Sequence, residues 1–283
     1  MQRNEITWQA GGQQGEGLES LGSILAAVLS HQGYELYGFR QFSSRIKGGH
    51  TNYKIRIATQ PVGTINKDCD LLIALDQDTL ANEALAINED AIVLAEKAIA
   101  GNYTGKGKLL AVPFADIAKQ NGTILQKNIV ALGCTAAVLG LGEDCFDVQL
   151  QKEFAKKGAE AVAANLRVFK AGVEFVRTAA PEYLAKKKLP ALADCTPKLF
   201  MLGNEAMAFG ALSAGARFMA AYPITPASEV MEYMVKKVKQ FGGQMLQAED
   251  EIAACTLAIG AAYGGARAFT ATSGPGFSLM AER

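Results

Sequence analysis

From residue 5 to residue 33 the chain reads as strand, glycine turn and helix in direct succession, and that order predicts α/β architecture. Glu5-Ile-Thr-Trp-Gln-Ala10 is the strand and Gly11-Gly-Gln-Gln-Gly-Glu-Gly17 the turn. Leu18, Leu21, Ile24, Leu25 and Val28 then recur at helical spacing up to Gly33. Residues 34–39 and the alternating Thr51-Asn-Tyr-Lys-Ile-Arg-Ile57 predict two more strands, with the polar turn Ser43-Ser-Arg-Ile-Lys-Gly-Gly-His50 between them. Apolar runs at 71–75, 91–94 and 109–112 predict buried parallel strands, some alternating with helices. Residues 128–141 predict an apolar helix, and 154–177 one charged amphipathic helix rich in Ala and Lys.

The pattern then breaks. Residues 181–197 hold Pro181, Pro190, Pro197 and the run Lys186-Lys-Lys188, the composition of a linker. A second α/β unit opens at Leu199-Phe-Met-Leu-Gly203, with helices expected at 204–214, 228–241 and 250–263. Its expected strands lie at 218–221, 244–247 and 267–271. The expected division is therefore 1–180, a linker at 181–197, and 198–283. The last part has about 85 residues, fewer than a doubly wound domain needs for a closed core. It stops where the next helix is building, at Phe277-Ser-Leu-Met280, so a truncated chain is expected.

Composition excludes several classes of function. Lysine plus arginine and aspartate plus glutamate balance at 28 each, so no overall field recruits nucleic acid or an anionic membrane. No long uncharged apolar run predicts a membrane span, and the N-terminus lacks the apolar stretch of a signal peptide, so a cytoplasmic protein is expected. The five cysteines are scattered without a Cys-x-x-Cys pair, which predicts reduced thiols rather than a zinc or iron–sulfur site, and no metal ligands are expected.

Chemistry concentrates near the C-terminus. Tyr222-Pro-Ile-Thr-Pro226 is a stiff turn at a strand end, where open α/β sheets place ligands, and it aims the Thr225 hydroxyl outward. Glu249-Asp-Glu251 opens a helix whose following residues are small: Ala254, Ala258, Gly260, Ala261 and Gly264. Acidic residues also favour helix N-termini through the macrodipole alone, so Glu249 and Asp250 compete with Glu251 for any chemical role. Thr270-Ala-Thr-Ser-Gly-Pro-Gly276 ends the next strand and brings Thr272, Ser273 and Gly274 to a turn. In the N-terminal half, Gly12, Gly15 and Gly17 can present backbone N–H groups at a helix start, the usual answer to a phosphate. Lys47, Gly48, Gly49 and His50 form a second glycine turn.

Together these segments resemble the 2-oxoacid:ferredoxin oxidoreductases, specifically an alpha subunit carrying a fused N-terminal gamma domain. Tyr222-Pro-Ile-Thr-Pro-Ala-Ser228, Gln247-Ala-Glu-Asp-Glu-Ile-Ala-Ala254 and Thr270-Ala-Thr-Ser-Gly-Pro-Gly-Phe-Ser278 are similar to its alpha-subunit signatures. Gly11 to Gly17 and Ser44-Arg-Ile-Lys-Gly-Gly-His-Thr51 are similar to the gamma domain's two loops. The resemblance implies a gamma domain followed by the first part of a pyrimidine-binding domain of a thiamine diphosphate enzyme. It implies oxidative decarboxylation of a 2-oxo acid such as 2-oxoglutarate, with the acyl group passed to coenzyme A and electrons to ferredoxin. Glu251 would be the carboxylate that activates the cofactor's pyrimidine, and Thr225 would face the substrate. Tyr222, Pro223, Glu249, Thr272, Ser273 and Gly274 would lie about the cofactor, and the gamma loops would hold coenzyme A. No Gly-Asp-Gly diphosphate motif occurs in this chain; the resemblance implies that magnesium and a 4Fe–4S cluster reside on a separate beta subunit, and activity from this polypeptide alone is not expected. Two alternatives remain open: an indolepyruvate-type oxidoreductase subunit, and a non-catalytic scaffold or coenzyme A-binding fragment.

Overall fold

The computed structural model describes residues 4–41, 49–83 and 86–281. They fall into two compact units, residues 1–200 and 201–283.

The first unit is built on a six-stranded mixed sheet. Its strands are β1 (Glu5–Gln13), β2 (Glu35–Gln41), β3 (His50–Ala58), β4 (Cys69–Ala74), β5 (Ile87–Glu96) and β6 (Lys108–Val112). They lie in the order β2-β3-β1-β4-β5-β6, parallel from β1 to β6 through β4 and β5, and antiparallel where β3 meets β1 and β2. The interleaved helices are α1 (Leu18–His31), α2 (Gln77–Glu83), α3 (Lys97–Ala100), α4 (Phe114–Asn121), α5 (Lys127–Leu139), α6 (Glu143–Phe154) and α7 (Ala159–Ala179). Strand alternation sorts the side chains. Trp8, Ala10, Leu71, Ile73, Ile92 and Leu94 join the larger core with α1, α4, α5, α6 and α7, while Leu72, Ala74, Val93 and Ala95 point to the other face and pack with Leu80 and Ala100.

Two expectations change here. Residues 154–177 are not one helix. The chain breaks after α6 at Gly158, whose φ of 93° lies in the left-handed region that glycine adopts without a Cβ penalty. Residues 181–197 belong to the first unit. Ala185, Lys187 and Leu189 donate backbone N–H bonds to the carbonyls of Ala137, Val138 and Leu139, so the proline-rich stretch satisfies the C-terminal end of α5.

The second unit has α8 (Gly203–Ser213), β7 (Phe218–Ala221), α9 (Ser228–Lys237), β8 (Gln244–Gln247), α10 (Glu251–Tyr263), β9 (Ala268–Phe269) and α11 (Gly274–Met280). Its three strands are parallel in the order β8-β7-β9. Met219 and Ala221 of the central strand pack on α8 and α9 with Leu212, Val230 and Met234, and Ala220 packs on the opposite side with Ala254 of α10. Residues 199–202 lie outside any strand, and Leu202 is the N-cap of α8.

Candidate functional site

Parallel strands place their C-terminal ends on one edge, and all three sequence features of the second unit sit there. Tyr222–Pro226 follows β7, Glu249–Glu251 follows β8, and Thr270–Ser273 follows β9. The Ala248 N–H donates to the Ala221 carbonyl at 2.9 Å, tying the first two loops together just past the strands. Such an edge is where open α/β sheets bind ligands.

The structure separates the three adjacent acids. Asp250 is the N-cap of α10, its Oδ1 accepting the Ala253 N–H at 2.7 Å, which accounts for it as a helix-start residue. Glu249 is exposed. Glu251, one residue into the helix, is only 6% exposed. A carboxylate is rarely buried without a partner, so its surroundings matter. They are Gly276 and Thr272: a Cβ built on Gly276 would lie 2.1 Å from Thr272 Oγ1, 2.5 Å from Glu251 Cγ and 2.8 Å from Glu251 Oε1. The absent side chain at Gly276 is what lets these groups converge. Thr272 Oγ1 is itself buried and has no hydrogen-bond partner among the described residues. A buried carboxylate beside an orphaned hydroxyl can fix a nitrogen heterocycle that donates to one and accepts from the other.

The remaining expected residues have plainer surroundings. Tyr222, Thr225 and Gly274 are exposed, and Pro223 and Ser273 are half-buried. Ser273 is the N-cap of α11 without a side-chain cap bond. Sequence reasoning missed Asn204, whose Nδ2 donates to the Pro226 carbonyl at 3.0 Å and to Glu229 Oε2 at 2.9 Å, bracing the proline turn from α8. It also gave no role to Gly276, although the second glycine of Ser-Gly-Pro-Gly was the available signal.

In the first unit, Gly12 lies inside β1, paired with Thr51, rather than in the turn. Gly15 (φ 101°) and Gly17 (φ 77°) make the left-handed turn, and Gly17 is the N-cap of α1. The second loop meets the first where the Gln14 N–H donates to the Gly49 carbonyl at 2.9 Å, with Gly49 buried. Lys47 and Gly48 lie outside the described residues. Glu16 closes the turn: its Oε2 accepts the Gln13 N–H at 2.9 Å and its Oε1 pairs with Lys127 at 2.7 Å. Among the described residues no cluster of three His, Cys, Asp or Glu side chains could hold a metal ion, and no helix is long and apolar enough to cross a membrane.

The chain is similar to known proteins over both units. Residues 209–283 match a family described as pyruvate flavodoxin/ferredoxin oxidoreductase, thiamine diphosphate-binding. The 2-oxoacid:ferredoxin oxidoreductase subunit alpha of Sulfolobus is 28% identical over 332 residues, covering 98% of this chain and 51% of the relative. The 2-oxoglutarate synthase subunit KorA of Methanocaldococcus jannaschii is 55% identical over 83 residues, 29% of this chain and 23% of that one. A solved 2-oxoglutarate:ferredoxin oxidoreductase from Magnetococcus marinus, with 2-oxoglutarate, coenzyme A and succinyl-CoA bound, superposes with a TM-score of 0.84 at 30% identity, covering 99% of this chain and 49% of that chain. The chain thus spans about half the length of the full-span relatives it matches. Residues 7–175 match the family described as pyruvate ferredoxin/flavodoxin oxidoreductase, and it is to that family that the chain belongs.

Proposed function

We propose that this chain is the gamma and pyrimidine-binding part of a 2-oxoacid:ferredoxin oxidoreductase alpha subunit. The reaction is the oxidative decarboxylation of a 2-oxo acid: the acid and coenzyme A give an acyl thioester and carbon dioxide, and two electrons pass to ferredoxin. The observation that carries this reading is the burial of Glu251 against Gly276 and the unpartnered Thr272 hydroxyl at the C-terminal edge of a parallel sheet.

These residues fit thiamine diphosphate, which when bound supplies the carbon nucleophile that adds to the 2-oxo group and stabilises the charge left by decarboxylation. Glu251 would hold a proton at the pyrimidine ring nitrogen, in a site from which water is largely excluded. Thr272 Oγ would position the same ring, with Ser273 and Gly274 beside it. Tyr222 and Pro223 would wall the site, and Thr225 would present its hydroxyl toward the substrate. Glu249, exposed beside the Asp250 cap, has the weaker claim to a cofactor contact. The diphosphate, magnesium and the iron–sulfur cluster would be held by a beta subunit, a division that the missing Gly-Asp-Gly motif and the scattered cysteines fit. In the first unit, Gly12 near the end of β1, the turn at Gly15 and Gly17, and the segment Lys47, Gly48 and Gly49 would receive coenzyme A. The Magnetococcus relative, solved with 2-oxoglutarate bound, favours a dicarboxylic 2-oxo acid as substrate. A cytoplasmic location is consistent with a ferredoxin acceptor.

The test is exchange of the cofactor's C2 proton with deuterium, followed by NMR in the complex with a beta subunit. Glu251→Gln is expected to slow exchange by about a hundredfold or more, the scale of one placed acid–base group. Exchange at the unaltered rate would remove Glu251 from the mechanism.

A further inference from the structure

The glycine turn proposed to receive a phosphate already holds an anion, its own Glu16. Glu16 Oε2 lies 2.9 Å from the Gln13 nitrogen, and Oε1 lies 2.7 Å from Lys127 Nζ. Both side chains are about four-fifths buried, at 21% exposure each, so the pair is more than a solvated surface contact. Room for the carboxylate comes from Gly12, where a Cβ would stand 2.6 Å from Oε2 and 3.1 Å from Leu75 Cβ.

A second observation points to a ligand other than Glu16. Thr51 is the direct cross-strand partner of Gly12, so its side chain stands on the face where the missing Gly12 Cβ would point. Thr51 is 7% exposed and its Oγ1 is buried without a hydrogen-bond partner among the described residues. An orphaned hydroxyl of this kind calls for an acceptor that the present arrangement does not supply. Each of the two Glu16 oxygens is engaged here, by the Gln13 N–H and by Lys127; a phosphate offers three or more oxygens, which leaves one for a hydroxyl donor on the same face once those two are answered. The position is also the N-terminus of α1, fourteen residues long, whose dipole favours negative charge.

We propose that Glu16 is an internal stand-in for a phosphate group, holding the anion site of the first unit closed until a phosphate-bearing ligand displaces it onto Lys127, Gln13 and Thr51. Lys127, Thr51 and Glu16 are thereby binding residues, with Glu16 setting the affinity by competition. The ligand's name, coenzyme A, rests on the function proposed above; the exchange of anions does not.

Calorimetric titration of the 283-residue chain with inorganic pyrophosphate and with coenzyme A tests this. Glu16→Gln is expected to bind pyrophosphate about tenfold or more tightly than the parent, the scale of one freed charge-assisted bond. Lys127→Met is expected to lose binding. Equal or weaker binding by Glu16→Gln, parent-like binding by Lys127→Met, or no binding of pyrophosphate by either the parent or Glu16→Gln overturns the proposal. Tighter pyrophosphate binding without any for coenzyme A keeps the exchange and removes coenzyme A as the ligand. Should circular dichroism show Glu16→Gln unfolded, Thr51→Val in the parent carries the test: weakened pyrophosphate binding supports the site and unchanged binding sinks it.

Discussion

Three neighbouring acids with nearly the same sequence signal end in three different environments, told apart by one cap bond and by burial. Asp250 satisfies a helix N-terminus, Glu249 meets water, and Glu251 is driven inward by its place one residue into α10. The sequence could therefore point to the acidic triplet and to Glu251 within it, but could not show the crowding that Gly276 relieves. That crowding makes Gly276 testable. An alanine there would put a Cβ 2.1 Å from Thr272 Oγ1 and 2.5 Å from Glu251 Cγ, so one of them must move by about an ångström. Helix propensity alone would favour alanine over glycine. Gly276→Ala is thus expected to re-aim the carboxylate and depress turnover of the assembled complex far more than it lowers the melting temperature. Steady-state rates and thermal unfolding of the same preparation decide it, and parent-like turnover would mean that the contact plays no part in the chemistry.

At the level of elements, α5 and α7 cross with their backbones in contact. A Cβ on Gly133 would stand 2.1 Å from the Phe169 carbonyl oxygen, and one on Gly172 would stand 2.3 Å from that of Val130. Backbone atoms cannot swing aside as a side-chain tip can, so the helices themselves would have to separate. Gly133→Ala or Gly172→Ala is expected to cost about 2 kcal/mol, the middle of the overpacking range. Gly210→Ala in α8, where nothing lies within 4 Å, is expected to be neutral or stabilising by up to about 1 kcal/mol. Urea titrations of the three variants measure this; equal effects at all three positions would refute close approach as the cause. The same elements mark what a single sequence yields. The apolar period of α1 was readable because burial on a helix face leaves a repeating mark. The break at Gly158 was not, since alanine and lysine continue across it and only a left-handed φ reveals the turn.

Over the whole molecule, the two units differ in how well they cover their apolar side chains. The first closes a core around Trp8, Phe114, Phe146 and Phe169, whereas the second leaves Ile259, Tyr263 and Phe277 exposed on helices that are apolar over much of their surface. Sequence pattern made α10 legible as a helix of small and apolar residues, yet only Glu251, Ala254 and Ala258 of it are buried. The first unit's closed core has a consequence at high pH. Burial pushes the Cys134 thiol above its ordinary value of 9.0, and burial likewise raises the Tyr53 hydroxyl above 10.0, with the nearby Arg40 charge opposing it. Both groups are neutral when protonated, so the folded state keeps protons that the unfolded chain releases as pH climbs past these ordinary values. Stability then falls with rising pH, and the contribution is fully present below about pH 8, a unit under the thiol's ordinary value. The slope is about 1.4 kcal/mol per pH unit for each group while it is ionised only in the unfolded chain. Urea midpoints are therefore expected to drop between about pH 8 and about pH 10.5, with the thiol of Cys134 unreactive toward alkylation until unfolding begins. Midpoints that stay level across that interval, or early alkylation of Cys134 in the folded chain, would show that these groups reach solvent without unfolding.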